Sequence, residues 1–397
     1  MAKALEGIKV LDFTQVYVGS LCTLLLRELG AEVVKIERPG TGDMVRTQPP
    51  FIPGGQESAN FIAFNRGKKG ITLNLASAKG RRLCLEMAKK ADIVVENFRP
   101  GVMDRLGLSY EEIRGINPGI VYASASGFGH TGPRSHEPGF DMVAQVAGGV
   151  TCVEGFPDMP PIPSAVPIGD CLAPLYAAIA ILAALRFRAV SGQGQWIDIS
   201  QQDSVWSLVA LQFGAPYFAT GQIPRRWGTA IPSHTPFGIF PAQDGYVVLC
   251  VGTTDQWEGL LRALGREDLV GVERLRTAAG RVSNRAEVET LVREWTVTRP
   301  KAEILAAWQA FRLPCTVVPE FTDVVSDPQL LARDMIVEID QPGSGRLKMP
   351  GSVLKLSRTP GDPVAPSPGL GQHNQEVYTD LGLTAADIEA LRREGVI

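Results

Sequence analysis

The first forty residues alternate strand, helix and strand, and this alternation narrows the possible folds more than any other feature of the chain. Residues 8–13 form a short apolar run, and leucine returns at helical spacing over 20–29. Gly30 ends that helix, and residues 32–37 (EVVKIE) are rich in β-branched side chains. A strand, a helix and a strand in so short a span predict a parallel βαβ unit with a right-handed crossover. The rhythm recurs. Residues 79–90 are amphipathic, 91–96 (ADIVVE) read as a strand, 110–117 as a short helix and 119–126 (GIVYASAS) as a further strand. The expected architecture is α/β, with a doubly wound, Rossmann-like sheet.

A chain of 397 residues exceeds one ordinary core, so two domains are expected. Pro224, Trp227, Pro232, Pro236 and Pro241 punctuate an extended stretch, followed by a strand at 245–251 and helical patterns at 257–264, 286–295 and 301–311. These divide the chain into a large domain at 1–215, a smaller α+β domain at 226–325, and a return to the large domain at 326–397. The last segment ends in a helix over 381–397 capped by Thr384. Hydrophobic residues make up 45%, as in a folded globular protein. A net charge of −3 with no run of like charges argues against nucleic acid and against an anionic membrane surface as partner. The most apolar stretch, 171–185, is shorter than the roughly 20 residues of a membrane span and reads as a buried helix. The six cysteines lie far apart, without metal-ligand spacing. Residues 1–7 lead into no apolar signal segment. A cytoplasmic or equally reducing location is expected.

The turn after the first strand reads TQVYVGSLC, with a lone Gly19 and no GxGxxG. A dinucleotide site needs those glycines for backbone approach to the pyrophosphate, so a nicotinamide-dependent oxidoreductase is disfavoured. Arg38, at the end of the second strand, sits where doubly wound folds meet the adenosine end of a nucleotide. It suits an extra ribose phosphate such as coenzyme A carries, and equally suits a plain surface position. Asp170, in Pro167-Ile-Gly-Asp, stands at the start of the long apolar helix. Two roles fit it: a helix N-cap, or a carboxylate nucleophile whose target's oxyanion could be held by backbone N–H groups of the helix start.

Longer stretches carry a resemblance. They are LEGIKVLDFTQVYVGSLCTLLLRELGAEVVKIERPGTGDMVR (5–46), VENFRPGVMDRLGLSYEEI (95–113), GFDMVAQVAGGV (139–150), IGDCLAPLYAAIAILAAL (168–185), SGQGQWIDISQQDS (191–204) and GLGQHNQEVYTDLGL (369–383). In this order they resemble the class III CoA-transferases, a family that includes formyl-CoA:oxalate and carnitine CoA-transferases. The resemblance implies an interlocked homodimer and an enzyme that moves CoA from an acyl-CoA to a carboxylic acid, with no tightly bound cofactor. It implies that Asp170 is the nucleophile, passing through an aspartyl mixed anhydride and an aspartyl-CoA thioester. It also implies CoA contacts at Gln15 and Val16 near the thiol end, at Arg38 on the adenosine phosphates, and at Asn97, Phe98 and Arg105 on the nucleotide and upper pantetheine.

Departures from the family pattern matter as well. Position 17 is Tyr where formyl-CoA transferases carry Gln, and VGTTDQ (251–256) lacks their glycine-rich loop, which argues against formyl-CoA and oxalate as substrates. α-Methylacyl-CoA racemases, of the same superfamily, carry His before Asp in the segment matching 139–142. Here Phe140 precedes Asp141, and Phe cannot exchange a proton. Racemase is therefore the alternative activity, and a subunit of a heteromeric transferase is another. Asp141 is a candidate helper of Asp170 or a cap for the helix after it. His130 and His136 read as loop histidines.

Overall fold

Six strands join in one parallel sheet, and the sequence alternation along them decides which core each residue enters. The computed structural model describes residues 3–53 and 57–397. The first part of the chain runs β1 (Lys9–Asp12), α1 (Val18–Glu28), β2 (Glu32–Glu37), α2 (Ala59–Asn65), β3 (Lys69–Thr72) and α3 (Ala78–Ala88). It continues through β4 (Ile93–Glu96), α4 (Val102–Leu106), α5 (Tyr110–Ile116), β5 (Val121–Ser126), α6 (Asp141–Ala147), α7 (Val150–Val153), α8 (Ile168–Ser191), β6 (Gln195–Ser200), α9 (Gln201–Val209) and α10 (Ala215–Thr220). The strand order is β3-β2-β1-β4-β5-β6, with Val10 paired to both Val33 and Ile93. Successive residues point to opposite faces. Val10, Val33, Ile93 and Val121 meet α1 and α8 on one side, while Leu11, Val34, Val94 and Tyr122 face α3, α5 and the chain's last helices on the other. Burial on both faces explains why these strands carry apolar residues at successive positions rather than alternating.

The winding reverses between β1 and β4, the place where open parallel sheets leave a crevice at the carboxyl ends of their strands. Strands β3 and β6 escaped the sequence reading: KGIT is short and carries a glycine, and QWIDIS is interrupted by charge.

The helix expected over 171–185 is α8, which runs 24 residues and is long and apolar enough by length and composition to cross a membrane. It is not a fully buried helix. Ala173, Ala177, Ile181 and Ala184 pack inward at helical spacing, whereas Leu175, Ile179, Leu182, Phe187 and Val190 are exposed. Pro174 lies inside it and has no N–H to give the Asp170 carbonyl one turn earlier.

The chain folds as two compact units. One comprises Met1–Val150, Pro163–Gly221 and Pro328–Ile397; the other comprises Thr151–Ile162 and Gln222–Asp327. Residues 151–162, placed in the large domain from sequence, cluster instead with the second unit: Arg226 donates to the carbonyls of Pro157 and Met159. That unit holds an antiparallel sheet, β7 (Phe237–Ala242), β8 (Gly245–Cys250) and β9 (Cys315–Val317), with α11 (Thr254–Ala263), α12 (Glu273–Arg276), α13 (Ala278–Ser283), α14 (Arg285–Thr296), α15 (Lys301–Ala310) and α16 (Phe321–Val324). Its core closes around Val247, Leu249, Trp257, Val292 and Trp308.

The chain then rejoins the first unit with α17 (Pro328–Ala332), the hairpin β10 (Ile336–Gln341) and β11 (Gly345–Pro350), α18 (Asn374–Asp380) and α19 (Ala385–Arg393). The single helix expected over 381–397 is thus only α19, preceded by a separate α18; Thr384 and Asp387 form a capping box at the start of α19. The Tyr378 hydroxyl donates to the Thr72 carbonyl at 2.7 Å, and the Asn74 N–H to the Val396 carbonyl at 2.7 Å.

Candidate active site

The crevice at the β1–β4 switch point is built on buried charge. Asp12, the last residue of β1, takes hydrogen bonds from the Thr14 N–H at 2.9 Å, the Thr23 hydroxyl at 2.6 Å and the Lys68 ammonium at 3.0 Å. Lys35 donates to the Thr14 carbonyl and pairs with Asp43 at 2.9 Å. All four charged side chains of these pairs are fully buried. Burial alone would raise the Asp12 carboxyl, but Lys68 and Lys35 outweigh it and hold the group at about 2; burial pulls Lys68 down to about 8. A buried pair is costly to desolvate, so its value here lies in fixing the turn that follows β1 rather than in net stability.

That turn is strained. Val16 has φ +62°, in a left-handed region that a β-branched residue avoids, and its N–H is held by Asp43 Oδ1 at 3.2 Å. Asn97, just after β4, clamps the neighbouring residue from the other side: its amide donates to the Gln15 carbonyl at 2.8 Å and its carbonyl accepts the Gln15 N–H at 2.7 Å. The two strand ends are thereby tied across the switch point. The Phe98 N–H donates to Glu96, whose burial pushes its carboxyl up to about 7.

Asp170 lies in the first turn of α8 but does not cap it. The N-cap position is Pro167, and the capping carboxylate is Asp141, from the first turn of α6, whose Oδ1 accepts the N–H groups of Gly169 at 2.8 Å and Asp170 at 3.2 Å. Asp141 therefore caps α8 rather than the helix it begins. Its other oxygen accepts from Gln145 at 2.6 Å, and Gln145 in turn grips Ser164 and Val166 ahead of α8. The Asp170 carboxylate is left to face a cavity, with Gln201 donating to its Oδ1 at 2.5 Å. Burial, then the charge of Asp141, push Asp170 up to about 7, and the Gln201 hydrogen bond opposes them. Gln201 was not singled out from sequence. It stands at the start of α9, directly after the last parallel strand, where doubly wound sheets place functional groups.

This cavity, of about 260 Å3, is walled by Asp170, Gln201, Tyr17, Val16, Phe140 and the 125–127 strand end, among others. Gly127 and Gly139 approach so closely there that a Cβ on one would stand 2.8 Å from the Cα of the other. A second groove, of about 920 Å3, runs past Arg38, Gly40, Thr41 and Asn74, and shares Gln15, Met44 and Phe98 with the first. Of the residues expected at the site, Gln15, Val16, Asn97, Phe98, Phe140 and Asp170 line the smaller cavity, and Arg38 the larger groove. Arg105 is exposed on α4 and lines neither. Asp141 acts from behind, through the backbone. His130 turns to Trp196 and to Glu96, 4.0 Å away, and not to the cavity.

A groove beside Arg38 that adjoins a smaller cavity holding a carboxylate suits a substrate with a phosphorylated head and a thin reactive arm. The comparisons with known proteins agree. A family model described as CoA-transferase family III matches residues 5–374. The succinyl-CoA:mesaconate CoA-transferase of Haloarcula marismortui is 37% identical over 388 residues, covering 96% of this chain and 97% of its own. The formyl-CoA:oxalate CoA-transferase of Streptomyces avermitilis is 37% identical, with 100% of each chain covered. The succinyl-CoA:glutarate CoA-transferase of Homo sapiens is 34% identical, with 96% of this chain and 86% of its own covered. Among solved structures, a CAIB/BAIF family protein from Brucella suis aligns with a TM-score of 0.84 at 34% identity, covering 96% of this chain and all of the other.

Proposed function

Because the chain belongs to CoA-transferase family III and is thus a class III CoA-transferase, we propose that it transfers CoA through covalent intermediates on Asp170. The observation that carries this reading is the half-buried Asp170 carboxylate in the smaller cavity that adjoins the groove, its backbone N–H held by Asp141 and its side chain oriented by Gln201. An Asp170 oxygen attacks the acyl-CoA carbonyl, giving an aspartyl mixed anhydride and CoA thiolate. The thiolate attacks the Asp170 carbonyl, forming an aspartyl-CoA thioester and releasing the donor acid. The acceptor carboxylate then attacks that thioester, giving a second anhydride and thiolate. Thiolate attack on its acyl carbonyl yields the new acyl-CoA and restores Asp170. Each difficult exchange becomes two easier ones, and a site that excludes water keeps the thioester energy from hydrolysis.

Arg38 supplies charge for the phosphates in the larger groove, while Gln15, Val16 and Phe98 line the path of the pantetheine arm. Succinyl-CoA is the donor we favour and a short dicarboxylic acid the acceptor, because similar proteins named for mesaconate and glutarate span nearly the whole chain. No base stands at Phe140, so proton exchange at an α-carbon has no support there. The exposed apolar stripe of α8 suits a second copy of the chain, in keeping with a homodimer, and the six free cysteines suit a reducing cytoplasm. The test is CoA exchange from succinyl-CoA to a panel of acids, followed by mass spectrometry. Asp170→Asn should abolish turnover, and brief incubation of the wild type with acyl-CoA should leave a CoA adduct on the peptide that contains Asp170. Full activity in the variant would place the nucleophile elsewhere.

A further inference from the structure

One wall of the small cavity is a phenol whose hydrogen bonding is only half used. Tyr17 lies at the strained turn after β1, next to Val16, and its ring stacks on Phe64 at 4.7 Å between centroids. Its oxygen accepts a hydrogen bond from the Asn60 amide at 2.8 Å. A phenol that accepts at its oxygen retains its own proton to donate, and the accepted bond polarises that O–H. Stacking on Phe64 and the bond from α2 leave the hydroxyl little freedom. Tyr17 lines the same cavity as Asp170, and the charge of that carboxylate raises the phenol further after burial has done so. The phenol therefore keeps its proton around neutral pH, where Asp170 becomes ionised.

Resting on Asp170 as nucleophile, we propose that the Tyr17 hydroxyl, oriented by Asn60 and Phe64, donates a hydrogen bond to the acyl oxygen that becomes negative as the anhydride forms and breaks. Each attack turns a trigonal carbonyl into a tetrahedral oxyanion, and a fixed donor that needs no reorganisation stabilises that state more than the ground state. The backbone donors at the start of α8 are not free for this task, since Asp141 occupies the N–H groups of Gly169 and Asp170. Tyr17 is in this sense the catalytic donor and Asn60 its positioning residue. No proton is transferred, and the phenol is unchanged after each cycle.

The experiment uses initial-rate CoA exchange by the full-length chain with succinyl-CoA and an acceptor that the wild type accepts. Tyr17→Phe keeps the ring and its stacking and removes only the donor. It should lower kcat on the order of 100-fold, with KM changing much less. Asn60→Asp replaces an amide donor by an acceptor that draws the phenol proton away from the cavity, and it should lower kcat in the same direction. In the double variant the second change should cost nothing more, because the donor is already gone. A Tyr17→Phe enzyme with wild-type kcat would overturn the proposal, as would losses in the double variant that multiply. If the wild type exchanges no CoA at all, the reading of Asp170 falls and this one falls with it. Exchange by the wild type that is untouched by Tyr17→Phe sinks only the role of Tyr17.

Discussion

A carboxylate held near neutrality is an awkward choice for the nucleophile we propose, and the residues around Asp170 show how the awkwardness is managed. Only its ionised form attacks, yet burial and Asp141 favour the protonated one. The sign follows directly: ionisation is nearly complete above pH 8 and falls about tenfold per pH unit below 7, so kcat/KM should show an acid limb near 7. Asp141→Asn keeps a carbonyl oxygen for the Gly169 and Asp170 N–H groups and removes the neighbouring charge. Its limb should move toward acid pH, and at pH 6 it should keep a larger fraction of its maximal rate than the wild type does. A pH–rate profile for both proteins checks this, and identical limbs would mean that the charge of Asp141 does not reach the nucleophile. At this scale the sequence was partly legible. Asp170 stood out beside an apolar helix, but its partner Gln201 is 31 residues away and joins it only when β5 and β6 pair. The capping role of Asp141 was hidden for a related reason. A cap is expected from the residues preceding its own helix, and here it comes from a different helix.

Among elements, α8 shows most clearly what a hydrophobic pattern can and cannot say. Its sequence is apolar all round, and such a helix is ordinarily buried on every side. In the structure one face is small, with alanines meeting the sheet and α1, and the other is large and bare. Composition revealed the helix, but periodicity could not separate a face turned to the protein's own core from one left exposed. Ile179→Glu, at a position 63% exposed, should leave the fold intact and weaken self-association, moving the chain toward monomer in sedimentation or light scattering. An unchanged mass would mean that this face is covered by something other than another copy. The β1 turn makes the complementary case. Its strand was visible in KVLD, whereas the buried Lys35–Asp43 and Lys68–Asp12 pairs that shape it were not, since lysines in sequence look like surface residues.

At the scale of the whole molecule, the rhythm of strand and helix revealed the parallel sheet but not the route by which the chain completes it. The larger segment of the second unit, residues 222–327, is an insertion with its own core around Trp257 and Trp308. A fragment spanning residues 222–327 should fold by itself, with a cooperative thermal transition by circular dichroism; a featureless melt would show that it depends on the rest of the chain. The first unit is instead assembled from segments far apart in sequence. Its sheet is finished by contacts that Tyr378 and Val396 make to Thr72 and Asn74, and Asn74 also lines the groove. During synthesis the inserted segment can therefore close while the sheet of the first unit still waits. The early strands leave the ribosome more than three hundred residues before the segment that seals them. Over that interval the half-built crevice must be kept from other chains, so translation speed and chaperone access, more than final stability, should govern how much working enzyme a cell obtains.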